Sequence, residues 1–389
     1  MDRRTTGIDE QDMTEQETLH LLTLNRTDCF NLVTMLQLYK KGGSATAVIE
    51  HHNDIKSLVP DCPDRLANAL KNIDQAKLRA EKEMEYATRH GIGIMGFDDM
   101  QYPERLRHCD DAPLVLFFKG TGPLNRRRVI NIVGTRHCTP YGRDCTEQFV
   151  ARLKQLCPDT LIVSGLAYGV DICAHRAALA NGMDTVAVLA HGLDYLYPQR
   201  HKETAKDMLS HGGLLTEFFT NTNADKMNFI RRNRIVAGMA DATILVESAS
   251  HGGGLVTARI ANSYNREVFA FPGRATDEYS AGCNHLIRDN KAALINNADD
   301  FVQAMGWQCD SLLNEARKQG IERELFPNLT PEEQSVVNTL SVHNDLPVGM
   351  LSVQTNIPIS QLTALLFQLE MKGVVSIQAG GVYHLLKTN

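Results

Sequence analysis

With 389 residues, 43% apolar and 22% charged, and a net charge of −6, the sequence describes a soluble globular protein with room for two or three cores. No run of about 18 apolar residues occurs, so no membrane span is expected, and the start, MDRRTTGIDEQDMTEQ, lacks the apolar centre of a secretory signal. Nine cysteines without a CxxC pair read as reduced thiols of a cytoplasmic protein, with neither a metal site nor a cofactor expected. The negative net charge excludes a general polycation. A polyanion would have to bind at a local patch.

Residues 15 to about 85 carry apolar residues at three- and four-residue spacing, broken at Gly42 and Gly43. They predict a small helical packing module, continued by the charged amphipathic segment KLRAEKEMEYATRHGI. From about 129 to 305 short apolar runs alternate with helical stretches. The candidate strands are VINIVG (129–134), TLIVSG (160–165), DTVAVLA (184–190), GLLTE (213–217), ATILVE (242–247) and EVFAFPG (267–273). Continuous apolar strands separated by helices predict βαβ units and a doubly wound, Rossmann-like parallel α/β sheet. After a connecting stretch, residues 328–389 read as helices at 331–341, 347–354 and 358–372, then a hairpin around Gly380 and Gly381. Three helices and a hairpin make a winged-helix plan. Its two lysines face four acids, whereas a duplex-reading winged helix is basic, so a packing or partner module is expected.

Ligands of open parallel sheets bind beyond the carboxyl ends of the strands. There the sequence places Gly134, Thr135 and Arg136 after one strand, Ser164 and Gly165 after the next, with Gly169 and Asp171 opening a helix. Gly252, Gly253 and Gly254, followed by Thr257, succeed ATILVE. Glycines there let backbone amides approach an anion, and the helix that follows adds its positive end. Neither a GxGxxG nor a P-loop pattern is present, which removes the main support for a dinucleotide or nucleoside triphosphate.

The cations are more specific. Between Lys226 and Ile235 lie Arg231, Arg232 and Arg234 without an acid, and Arg231 and Arg234 share a helix face. Arg126, Arg127 and Arg128 precede the first strand and Arg136 follows it. Several spaced guanidinium groups suit several spaced phosphates. Any one of them suits a surface ion pair equally well.

The ordered segments IVGTR, IVSGLAYGVDICAHRAAL, GLDYLYPQRH, FIRRNRIVAGMADATILVESA, GGGLVTARIA, VFAFPG and GCNHLIRDNKAALI resemble the DNA-processing protein A (DprA/Smf) family. The resemblance covers roughly 130 to 295. It implies a single-stranded DNA-binding, non-enzymatic homodimer that protects incoming DNA and loads the RecA recombinase during natural transformation. It also implies four parts: a helical module of SAM or helix-hairpin-helix type (1–85), an extended Rossmann-like DNA-binding domain (86–308), a linker (309–327) and a winged-helix-like module (328–389). The family's GSR loop falls on Gly134, Thr135 and Arg136, its SG…GID run on Ser164, Gly165, Gly169, Val170 and Asp171, and its RNR on Arg232, Asn233 and Arg234. Its SGSL-TA loop falls on Gly252 to Leu255, Thr257 and Ala258. Where the family has serines this chain has Gly252 and Gly254, so backbone amides are expected to do the binding in that loop.

The expected groove places Arg136, Arg232 and Arg234 on phosphates, with Arg231 as a fourth. Thr135, Ser164 and the backbone of Gly165, Gly253 and Gly254 add hydrogen bonds, and Phe229 or Tyr168 is a candidate for base stacking. Asp171 and His175, four apart on one helix, and the His191–Asp194–His201 group read better as helix and turn supports than as catalytic or metal pairs. The alternative enzyme, a nucleotide phosphoribohydrolase on a related sheet, carries a glutamate after its glycine loop. Here Ala258 and Arg259 stand in that region.

Overall fold

The computed structural model describes residues 14–27, 32–307, 329–344, 346–378 and 382–386. They divide into two compact units, one within Met1–Gln308 and one within Cys309–Asn389. The linker expected at 309–327 and the hairpin turn at Gly380–Gly381 lie outside the described residues.

The first unit opens with helices α1 (Glu15–Arg26), α2 (Leu32–Gly42), α3 (Ala45–Glu50), α4 (Ile55–Leu58), α5 (Asp64–Leu70) and α6 (Asp74–His90). Two strands the sequence did not reveal follow, β1 (Gly93–Gly96) and β2 (Val115–Gly120), with α7 (Glu104–Arg107) between them. The alternating part then runs β3 (Arg128–Val133), α8 (Pro140–Leu156), β4 (Thr160–Ser164), α9 (Val170–Ala180), β5 (Thr185–Val188), α10 (Lys202–Met208) and β6 (Gly212–Thr216). It continues with α11 (Lys226–Gly238), β7 (Ala242–Leu245), α12 (Gly253–Ser263), β8 (Glu267–Ala270), α13 (Ala281–Arg288), β9 (Ala293–Leu294) and α14 (Ala298–Ala304).

The sheet order is β1-β2-β6-β5-β4-β3-β7-β8-β9. From β6 to β9 every neighbour is parallel, while β1 and β2 add an antiparallel edge. The parallel part starts at β3, winds outward to β6, then returns to place β7 on the other flank of β3. That reversal is the topological switch point, where side-by-side strands send their following loops apart and leave a crevice.

Alternation along the strands loads both faces. Val129 and Val133 pack toward one core with α11 and the N-terminal helices, while Ile130 and Ile132 pack into another with Phe149, Phe269 and Phe301. Thr139 caps α8, its hydroxyl accepting from the Gly142 amide at 3.3 Å, and Pro140 fits the first turn, where its missing N–H costs nothing.

The boundary expected between 85 and 86 falls inside α6, and one apolar core draws on residues from Leu21 to Ala292. A buried ionic knot locks α6 to the loop after β6. Glu83 accepts from the Thr220 amide at 2.8 Å, from the Thr220 hydroxyl at 2.7 Å and from Arg79 at 2.7 Å.

In the second unit α15 (Pro331–Val342), α16 (Val348–Thr355) and α17 (Ile359–Met371) surround Val336, Leu340, Leu362 and Leu366. Strands β11 (Val375–Gln378) and β12 (Val382–Leu385) are joined by β10 (Leu346–Pro347), a strand too short to announce itself. The exposed side of α17 carries Ile359, Phe367 and Met371 and no basic residue, and Lys372 is paired with Glu333 at 2.7 Å.

Removing a carboxylate that holds three donors leaves the buried Thr220 amide and hydroxyl without their acceptor and the half-buried Arg79 without its counter-charge. Glu83→Ala is expected to destabilise the first unit by about 3 kcal/mol. In urea titrations the midpoint falls and the m-value stays constant.

Candidate nucleic-acid interface

At the switch point, the loops after β3, β4 and β7 and the faces of α11, α12 and α13 enclose an open trough of about 1250 Å³. Gly134, Thr135, Arg136, Gly165, Asp171, Arg232, Asn233, Gly253, Gly254 and Thr257 all line it. Ser164, Gly169, Arg231 and Arg234 do not.

Arg232 is only 4% exposed. Its Nη1 donates to the carbonyl of Gly165 at 2.6 Å and to that of Val188, and its Nε to Asn233 Oδ1 at 3.2 Å. Burial pushes the guanidinium down to about 10, Asp171 opposing and Arg136 assisting, so it stays cationic at neutral pH. A Cβ on Gly165 would lie 2.4 Å from the guanidinium nitrogens. Only glycine admits that approach. Gly169, at φ +79°, is the second special backbone position, since its missing side chain would strike the Thr135 carbonyl at 2.0 Å.

Asp171 is buried, and its Oδ2 accepts from the amides of Gly165 at 3.2 Å and Ala167 at 3.4 Å. Burial raises its pKa, with Arg232 opposing. The carboxylate shapes the β4–α9 loop and faces the buried cation; a phosphate has no reason to meet it. His175 lies beneath, fully buried. Leu166 N–H donates to its Nε2 at 3.3 Å, so Nδ1 carries the proton and donates to Thr185 Oγ1 at 2.7 Å, which donates to the Ile162 carbonyl at 2.9 Å. Burial first, then Arg232 and His201, pull this imidazole down to about 3. A neutral, fully partnered histidine is a strut. His191 and His201 likewise bond backbone groups, and among the described residues no cluster could hold a metal ion.

Arg136 is exposed and reaches across the Phe229 ring, its guanidinium carbon 4.7 Å from the centroid; that of Arg232 is 5.7 Å away. The two cations flank one aromatic ring. Lys226 and Arg259, both exposed, add charge on the α11 and α12 walls, while Glu278 and Asp289 stand on the α13 side. Gly252 caps α12 without a side-chain hydrogen bond, and nothing lies within 4 Å of where a Gly253 Cβ would be. The first-turn amides of a helix have no partner within the helix, and here no side chain of Gly252 supplies one.

Several expected contacts need correction. Arg231 and Arg234 do share a face of α11, but that face turns to buried Glu217, whose Oε2 accepts from them at 2.8 and 2.5 Å. Arg234 also donates to the Asp111 carbonyl. Ser164 is buried and spends its hydroxyl on the Ile132 carbonyl at 2.6 Å. The Thr257 hydroxyl, although in the lining, turns back to the Gly253 carbonyl at 3.4 Å. The triplet Arg126–Arg128 sits at the opposite end of β3, with Arg126 bonded to Asp184 and Arg128 over the Trp307 ring at 5.2 Å. Tyr168 packs on His201 instead of lining the trough. Sequence reasoning missed Lys226 and Arg259 as wall cations. Lys226, Phe229, Asn233 and Val236 recur at helical spacing, a stripe that could have marked the trough side of α11.

A family model described as DNA recombination-mediator protein A matches residues 93–306, and one described as DprA winged helix domain matches 324–381. This chain belongs to the DprA/Smf family. DNA processing protein DprA of Bacillus subtilis is 36% identical over 240 residues, covering 61% of this chain and 80% of that protein. Protein Smf of Escherichia coli is 31% identical over 295 residues, covering 74% and 76%. The crystal structure of DprA from Streptococcus pneumoniae superposes with a TM-score of 0.64 at 30% identity, covering 74% of this chain and 97% of that one. A structure of DNA processing protein A from Helicobacter pylori, described for its unique single-stranded DNA binding mode, gives a TM-score of 0.50 at 27% identity over 55% of this chain and 95% of that one. The DprA/Smf fold, a mostly parallel sheet with a winged helix, is the architecture described above. No described helix of this family member is long and apolar enough to cross a membrane.

The His175 strut makes stability pH-dependent. Between its ordinary 6.5 and about 3 the unfolded chain protonates this imidazole and the native chain does not. Stability therefore falls as pH drops through that window, by about 1.4 kcal/mol per unit for one proton. In urea melts at pH 7 to 5, His175→Gln is expected to flatten the slope by about one proton.

Proposed function

We propose that this chain binds single-stranded DNA along the switch-point trough, without sequence preference and without catalysis. The observation that carries the reading is the convergence of Arg136 and Arg232 on one aromatic ring inside an open trough that Gly134, Gly165, Gly253 and Gly254 also line. Arg232 is a fixed cation whose position the fold dictates, and Arg136 is the reaching one. Lys226 and Arg259 extend the charge along the walls, and the amides at Gly253 and Gly254 supply donors that favour phosphate. Phe229 offers a π-face to a base once Arg136 swings to a phosphate. The Helicobacter pylori relative's single-stranded DNA binding supports the same ligand here.

From the family resemblance we infer the finer roles. The protein acts in the cytoplasm as a homodimer, protects incoming DNA and loads RecA during natural transformation. The phosphoribohydrolase alternative lacks its chemistry here, because buried Ala258 and exposed Arg259 occupy the region where that enzyme's glutamate follows the glycine loop. Incubation with nucleoside monophosphates is expected to release no free base.

Single strands release roughly 0.7 counterion per neutralised phosphate. Arg136→Ala is therefore expected to weaken binding of all oligonucleotides alike and to flatten the slope of log K against log salt by about 0.7. Arg231→Gln, which touches only the Glu217 side, leaves that slope unchanged. Equal slopes for wild type and Arg136→Ala, measured by fluorescence anisotropy, would count against the trough.

A further inference from the structure

Two rings besides Phe229 line the trough. His137 follows Arg136 on the loop after β3, and Tyr279 lies in the single turn Glu278–Ser280 that precedes α13. Their ring centroids are 6.1 Å apart, with the planes inclined by 31°. His137 is exposed and Tyr279 half-buried. The backbone holds both in place. The His137 amide donates to Thr135 Oγ1 at 3.1 Å. The Ser248 amide donates to the Tyr279 carbonyl at 2.6 Å, and the Gly282 amide to the Ser248 carbonyl at 2.8 Å, so the Tyr279 turn is tied to the loop after β7.

We propose that Tyr279 and His137 form a stacking platform for an unpaired nucleobase on the α13 side of the trough. The platform rests on the function proposed above and deepens it, because it sets which part of the strand meets which wall.

The sides of the trough differ in charge. Lys226 and Arg259 stand on α11 and α12, whereas Glu278 and Asp289 accompany Tyr279 on the α13 side. Carboxylates repel a phosphate there but not a neutral base that offers a π-face. The ring pair is also loosely arranged. Tyr86 and His90, stacked in the same chain, have centroids 3.9 Å apart, against 6.1 Å for His137 and Tyr279. Neither ring of the trough pair covers the other, and each leaves π surface for a base. Arg136 and His137 are consecutive, yet Arg136 lies over Phe229 while His137 lies against Tyr279. A phosphate drawn to Arg136 would therefore have a ring on either hand, one for the base before it and one for the base after. Paired bases inside a duplex cannot reach either ring. Charge alone holds any polyanion, so the rings supply the preference for single strands, and they do so without reading sequence.

The test compares full-length wild type, Tyr279→Ala, Tyr279→Phe and His137→Ala on two labelled strands of equal length. One is oligothymidylate; the other carries an abasic tetrahydrofuran at every position and keeps only the phosphates. Tyr279→Ala is expected to lose about tenfold in affinity for oligothymidylate. Tyr279→Phe stays close to wild type, and His137→Ala falls between the two. No phosphate contact is removed, so the slope of log K against log salt is unchanged, and all four proteins bind the abasic strand equally. An equal loss on both strands, or full affinity of Tyr279→Ala for oligothymidylate, would each overturn the platform while wild-type binding leaves the proposed function standing. Wild type that binds neither strand would refute the proposed function itself.

Discussion

The guanidinium of Arg232 is the constraint on which the trough depends. Taking a charge out of water costs several kcal/mol unless its hydrogen bonds are replaced. Here the replacements come from separate parts of the chain: the Gly165 carbonyl after β4, the Val188 carbonyl of β5, Asn233 on its own helix, and the charge of Asp171 on α9. Each group can serve only if the others are in register. Gly165 must lack a side chain for the guanidinium to reach it, and Asp171 must hold the Gly165 and Ala167 amides for the loop to keep its shape. The cation and the loop geometry therefore stabilise one another, and the resulting positive potential needs no reorganisation when an anion arrives.

The same logic divides the arginine cluster of α11. Successive residues on a helix are about 100° apart, so a triplet written close together in sequence cannot face one way. Arg231 and Arg234, three apart, fall together on the Glu217 side, where they neutralise a carboxylate that is itself buried. Arg232 falls between α11 and the strand ends. One arginine faces the ligand side because two others face away, and the two facing away fix the rotation of the helix that aims the third.

This explains what was legible in the sequence. Period and composition marked β3 to β8, because strands buried on both faces are continuous apolar runs, and the glycine loops after them marked the carboxyl edge. Period could not show β1 and β2, whose antiparallel edge pairing is set by tertiary contact, nor the two-residue β9 and β10. Residue type named the arginines but not their partners. Glu217 lies 14 and 17 positions from Arg231 and Arg234 and becomes their neighbour only through the β6–α11 turn. Ser164 was a reasonable hydroxyl donor until the strand pleat directed it into the sheet.

A net charge of −6 and a polyanion ligand are compatible because charges on the far surface are screened beyond about 8–10 Å at physiological salt. On the proposed reading, what a phosphate would sense is the local set: Arg136, Arg232, Lys226 and Arg259, with Asp171 held against Arg232 and Glu278 and Asp289 on the α13 side. The loss of two family serines at Gly252 and Gly254 fits this local arrangement. Hydroxyls there would add directional contacts, whereas in the proposed function the first-turn amides of α12 would donate to any phosphate along a flexible strand. A binder without sequence preference, as proposed here, would gain from one charge fixed by burial at Arg232, leaving the exposed Arg136, Lys226 and Arg259 to adapt to where the next phosphate falls.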